Sequence, residues 1–157
     1  MSTLTLSDEQ LAQLKTIFVK HGVVLAYLFG SQAEGRARPA SDVDIAVLLP
    51  HNMMPLKTFD KQFKLIAELE DALGVREVDV VILNAAPPLL AFEVVKHGKV
   101  LYEDPMTRPA VDFAVYALSR YADTIPFRQL QHRYLFENIE RHKAERAQKQ
   151  GVAHAQS

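Results

Sequence analysis

A chain of 157 residues with 18 basic and 19 acidic side chains carries a formal charge of -1, which removes the simplest electrostatic case for clinging to nucleic acid and disfavours RNA or DNA as a direct substrate. With no cysteine there are neither disulfides nor thiolate ligands, so carboxylates and histidines are left for any metal and a hard, oxygen-preferring ion is expected. Residues Met1 to Glu9 lack a basic region followed by an unbroken apolar run, and no stretch reaches the length of a membrane span, so a cytoplasmic protein with one core domain and a helical appendage is expected.

Ser7 followed three residues later by Gln10 has the form of a capping box, and Leu11, Leu14, Ile17 and Phe18 recur at helical spacing as far as Gly22, predicting a first amphipathic helix. The continuous apolar run Val23 to Phe29 reads as a strand of a sheet buried on both faces. It delivers Gly30-Ser31 at its carboxyl end. Gln32 to Arg36 fits a short helix before Pro39, and a second strand begins near Asp42 and runs through Leu49. From about Lys57 to Leu73, the residues Phe59, Phe63, Ile66, Ala67, Leu69, Glu70 and Leu73 form one helical stripe closed by Gly74. A third strand, Val78 to Leu83, contains Asp79. Pro87-Pro88 opens a helix that ends at Gly98, and Lys99 to Tyr102 reads as a short edge strand. These elements place a core domain at 1–105. A helical extension follows at 106–150, read as two helices divided by Pro126, and then a fraying tail at 151–157.

Asp42 and Asp44 lie one residue apart and therefore share a face of their strand. Asp79 adds a third carboxylate inside an otherwise apolar strand, where a buried acid needs an ion, a partner or a hydrogen bond. Three such groups repel one another unless cations sit between them, and Mg²⁺ suits an all-oxygen donor set completed by water and phosphates. The triad describes a two-metal phosphoryl-transfer site, with Gly30, Ser31 and nearby amides holding a triphosphate tail. An isolated Asp-x-Asp is mostly a turn or a cap, and Gly-Ser is mostly a turn. The ordered set of Gly-Ser, ten residues, Asp-x-Asp, an intervening helix and a further strand Asp is hard to obtain from packing alone.

On Gly30, Ser31, Asp42 and Asp44 the chain resembles the minimal nucleotidyltransferases of the DNA polymerase β superfamily, whose signature is Gly-Ser-x10-Asp-x-Asp. Ala33, Gly35, Arg36, Ser41 and the strand Ile45 to Leu48 look like the motif as it stands in prokaryotic MNT antitoxins, and Asp79 fits the third carboxylate. The resemblance covers about Ser7 to Asp104. It implies an α/β (α+β) fold with a polymerase-β-like core, a small mixed sheet flanked by helices, and a C-terminal helical extension. It also implies a protein adenylyltransferase that uses ATP and two Mg²⁺ ions to transfer AMP to a hydroxyl, expected to be a tyrosine's, of a HEPN-type ribonuclease toxin.

By that resemblance, Asp42 and Asp44 would bridge the two ions and Asp79 would hold the acceptor-side ion and help deprotonate the acceptor. Gly30, Ser31, Arg36 and Ser41 would bind nucleotide. Arg36 and Arg38 stand open between phosphate clamp, partner contact and solvated charge. Tyr116, Tyr121 and Tyr134 read as packing residues rather than self-modification sites, and the six histidines show no ligand-like spacing. Two other functions stay in view: an aminoglycoside-type small-molecule nucleotidyltransferase, and an antitoxin that works by binding alone. The C-terminal helices leave homo- or hetero-oligomerisation through them open.

Overall fold

The computed structural model describes residues 4–35, 42–52 and 55–155. Helix α1 (Asp8–Lys20) starts where the capping box predicts: the Gln10 amide donates to the Ser7 hydroxyl at 3.1 Å and the Ser7 amide donates to the Gln10 side chain at 3.1 Å. His21 caps its end, and Gly22 follows with a positive φ of 71° that only glycine adopts cheaply. Strands β1 (Leu25–Phe29), β2 (Val43–Leu48), β3 (Val78–Ile82) and β4 (Lys99–Glu103) form one mixed sheet in the order β3-β2-β1-β4. β1 pairs antiparallel with both β2 and β4, and β2 pairs parallel with β3. The parallel pair requires a crossover, which α2 (Pro55–Leu73) supplies. Helix α3 (Pro88–His97) links β3 to β4, and α4 (Ala110–Ala155) follows.

Alternation along the strands divides the core in two. On one face Ala26, Leu28, Val43, Ile45, Val47, Val78 and Val80 meet Leu14 and Phe18 of α1 and Leu65, Leu69 and Leu73 of α2. On the other, Leu25, Tyr27, Ala46 and Leu48 meet Ala91 and Val94 of α3 and Phe113 and Ala117 of α4. Each fully buried large side chain contributes about 1.5–3 kcal/mol of transfer free energy. Side-chain clamps finish the strand ends. The Asn84 amide accepts from the Leu49 N–H at 2.8 Å and donates to the Leu49 carbonyl at 2.7 Å. Gln62 donates to the Val80 carbonyl at 2.6 Å, covering part of the edge that β3 would otherwise expose.

Three local expectations change. The short helix after β1 is a single 3₁₀ turn at Gly30–Gln32, starting two residues earlier than the sequence suggested. On α2 the buried side is Leu65, Leu69 and Leu73, whereas Phe59 and Phe63 are 63% and 64% exposed and meet each other edge to face at 5.5 Å. The extension is one helix through Pro126 rather than two. A proline inside a helix costs about 3 kcal/mol, and the helix continues through it although its immediate neighbours Asp123, Thr124, Ile125 and Phe127 are only middling helix formers. The chain divides into two compact units, residues 1–119 and 120–157. Within the second, Arg128 stacks over Tyr121 at 4.9 Å and the Thr124 hydroxyl donates to the Tyr121 carbonyl at 2.7 Å. Among the described residues no helix is long and apolar enough to cross a membrane.

Candidate active site

The register of the sheet assembles the site. Asp44 on β2 is paired directly with Phe29 at the end of β1 and with Asp79 on β3, so the two carboxylates stand on adjacent strands, about 4.8 Å apart at the backbone. By alternation both project from the face that carries Tyr27, Ala46 and Leu48. Asp42, two residues before Asp44, shares its side of the chain; it is exposed, as is Asp79, while Asp44 is half-buried. Burial, then the charges of Asp79 and Asp42, raise the Asp44 pKa above the ordinary carboxylate range.

Gly30 closes the other side. Its φ is 72°, and a Cβ built there would strike Asp44 Oδ2 and lie 3.2 Å from Asp44 Cγ. Glycine is therefore required twice, once by the backbone and once by the carboxylate pressed against it. The Gly30 carbonyl accepts from the Glu34 N–H at 3.2 Å. Ser31 is half-buried, and its hydroxyl has no hydrogen-bond partner among the described residues, which leaves it able to receive a phosphate. Arg36, Arg38 and Ser41 lie outside the described residues.

Two residues that the sequence reading passed over belong here. Glu77 stands beside Asp42: the hydrogen bond the two carboxyls form when one is protonated, and then the Asp42 charge, raise its pKa. The signal was present: Glu77-Val78-Asp79 repeats the acid-x-acid spacing of Asp42-Val43-Asp44, and Val43 pairs with Val78, bringing the two motifs side by side. Gln32 is buried and accepts from the Leu4 N–H at 3.0 Å, tying the loop after β1 to the N-terminal segment that packs on the core. Gln32→Leu is expected to destabilise the fold by about 1 kcal/mol, the value of one such bond, and to raise the Kd for nucleotide severalfold; paired thermal melts and nucleotide titrations check both.

Among the described residues no three His, Asp or Glu side chains close into a ready ligand cluster. The carboxylates stand near enough to repel one another without chelating by themselves. The donor set nevertheless fits a hard divalent cation: it is all oxygen, and burial and the neighbouring acids disfavour the charged form of Asp44, which such an ion would stabilise.

Comparison with known proteins identifies the fold that carries these residues. The polymerase beta nucleotidyltransferase family model matches residues 12–106. A Methanocaldococcus jannaschii relative, MJ0435, is 40% identical over 74 residues, which is 47% of this chain and 74% of that one. Protein adenylyltransferase MntA of Shewanella oneidensis is 34% identical over 97 residues, 62% of this chain and 65% of that one. Among solved structures, a toxin–antitoxin crystal structure with AMP-PNP superposes with a TM-score of 0.66 at 28% identity, covering 80% of this chain and 98% of that one. A complex of tri-AMPylated Shewanella oneidensis HEPN toxin with MNT antitoxin gives 0.62 at 26% identity, covering 81% and 96%. A Gly-Ser turn pressed against the middle carboxylate of three, on a sheet of this order and within a match that spans every element of the site, leads to one assignment: the chain belongs to the polymerase beta nucleotidyltransferase family.

Proposed function

We propose that this nucleotidyltransferase transfers AMP from ATP to a hydroxyl of a HEPN-type toxin protein in the cytoplasm and so acts as its antitoxin. The observation that carries the reading is the direct pairing of Asp44 with Asp79 beside Gly30, in a chain similar to MntA and to antitoxin complexes that hold AMP-PNP or an AMPylated toxin. Asp42, Asp44 and Asp79 would hold two Mg²⁺ ions, which supply the positive charge that acidifies the acceptor hydroxyl and neutralises the departing pyrophosphate. Gly30 and Ser31 position the distal phosphates. Asp79, exposed on the outer strand β3, faces the acceptor and takes up its proton as the acceptor oxygen bonds to the α-phosphorus and the bond to pyrophosphate breaks. The work of the chain is positioning and electrostatics.

A panel of acceptors separates this from the small-molecule alternative. Pyrophosphate release from ATP and Mg²⁺ should rise when a HEPN toxin is added and stay at baseline with aminoglycosides; the reverse pattern would overturn the proposal. Inhibition by binding alone is favoured by one observation, the exposed apolar residues Phe127, Leu130, Tyr134, Leu135 and Phe136 of the second unit, which suit a partner surface. It predicts toxin inhibition without ATP.

A further inference from the structure

The sheet face that carries the carboxylates also carries a cavity. About 380 Å³ in volume, it has apolar walls from Leu48, Leu83, Pro109 and Phe113 and polar groups from His51 and Asp112 among its lining. Leu48 stands four residues beyond Asp44 on β2, and Leu83, the first residue of the 3₁₀ turn after β3, four beyond Asp79; both belong to the core cluster of Tyr27 and Ala46 on this face. The cavity and the carboxylates are therefore separated by about 13 Å along the strands. Two of its polar groups are already engaged: the Asn84 amide is held by the Leu49 backbone, and the Thr107 hydroxyl donates to Asp104 at 2.7 Å. Leu48, Leu83, Pro109 and Phe113 give it an apolar floor beside the polar His51 and Asp112, in the size range of a site for one large side chain or a small ligand.

The path between the two is open on one side. Over β1 and β2 the face is covered, with Tyr27 and Ala46 buried in the cluster that holds Ala91 and Val94 of α3. Over β3, Asp79 is exposed and Val81 only half-buried. An extended polypeptide advances about 3.3 Å per residue, so a segment laid along β3 with its hydroxyl residue at Asp79 brings the side chain four positions away to the cavity.

We propose that this cavity is an acceptor subsite, which takes an aromatic or large aliphatic side chain of the modified protein four residues from the hydroxyl that receives AMP. The assignment rests on the adenylyltransferase reading for the identity of the hydroxyl and adds a specificity determinant to it. An apolar anchor in a preformed cavity supplies affinity without touching the reacting atoms, so it lowers KM and leaves kcat nearly unchanged.

The test uses fluorescently labelled peptides in which Tyr and Phe are separated by three serines, in both chain directions, with a control in which Ser replaces Phe. Binding is read by anisotropy in the presence of Mg²⁺ and a non-hydrolysable ATP analogue, so that it does not depend on turnover. One of the Phe peptides is expected to bind at least tenfold more tightly than the control. That advantage is expected to vanish in His51→Trp and in Thr107→Trp, both on exposed turns at the cavity rim, while both variants keep wild-type affinity for the control. Equal affinity of all peptides, including none detectable, overturns the subsite, as does an advantage that survives in both variants. AMP transfer to the same peptides is a separate readout: a peptide that binds through Phe and is never modified removes the adenylyltransferase reading and leaves the subsite in place.

Discussion

Asp44→Asn is expected to lower AMP transfer by about 10²–10³-fold or more, the scale on which losing one preorganised electrostatic element acts, and at the same time to raise the melting temperature of the metal-free protein. The second effect follows from the environment of the carboxylate. Burial and the neighbouring Asp79 and Asp42 raise its pKa, so the folded state binds that proton more tightly than the unfolded chain does. A raised pKa gives a contribution that is fully present below the ordinary carboxylate range and is lost as pH rises through the folded-state value. At neutral pH the folded protein thus holds an ionised group that its surroundings disfavour, and asparagine removes the burden. The stability gap between variant and wild type should open as pH rises and close in acid. Mg²⁺ should raise the melting temperature of wild type and leave the variant nearly unmoved. Calorimetry in EDTA and in Mg²⁺ across pH checks all of this; a variant less stable than wild type in EDTA at neutral pH would contradict the repulsion on which the site is built.

Gly30→Ala should be nearly as damaging by a different route. A residue with a Cβ at φ 72° is strained, and here the added atom also drives into Asp44 Oδ2. Backbone strain and displacement together should cost about 1–3 kcal/mol of stability. A carboxylate moved by about 1 Å should reduce transfer by about 10²-fold. Gly74→Ala is the control: its φ is 65°, yet no atom lies within 4 Å of the added Cβ, so it should lose a similar increment of backbone stability and no activity. Equal activity losses in both variants would show that the effect comes through the fold rather than through Asp44.

Much of this could be read before the structure because the site is written in short-range spacing. Asp42, Asp44 and Asp79 were visible as acids in apolar strands, and the Gly30-Ser31 turn as the end of a buried run. Strand period and turn chemistry are local properties that the fold does not overrule. What stayed hidden depended on pairing. The sequence does not say that Asp44 faces Asp79 directly, or that Glu77 consequently meets Asp42, until β2 and β3 are placed in parallel register. The close approach of Gly30 to Asp44 is likewise a cross-strand fact. Phe59 and Phe63 misled because helical period cannot say which side of an amphipathic helix finds a neighbour; Leu65 and Leu69 found it. Pro126 misled because a proline is a helix-breaking signal, not a rule, and the helix here continues through it.

The most direct test of the account is mass spectrometry of a HEPN toxin incubated with this chain, ATP and Mg²⁺, set beside Asp44→Asn at concentrations where the two bind the toxin equally. AMP is expected covalently attached to the toxin by wild type and not by the variant. An unmodified toxin under both conditions, with binding intact, would contradict it.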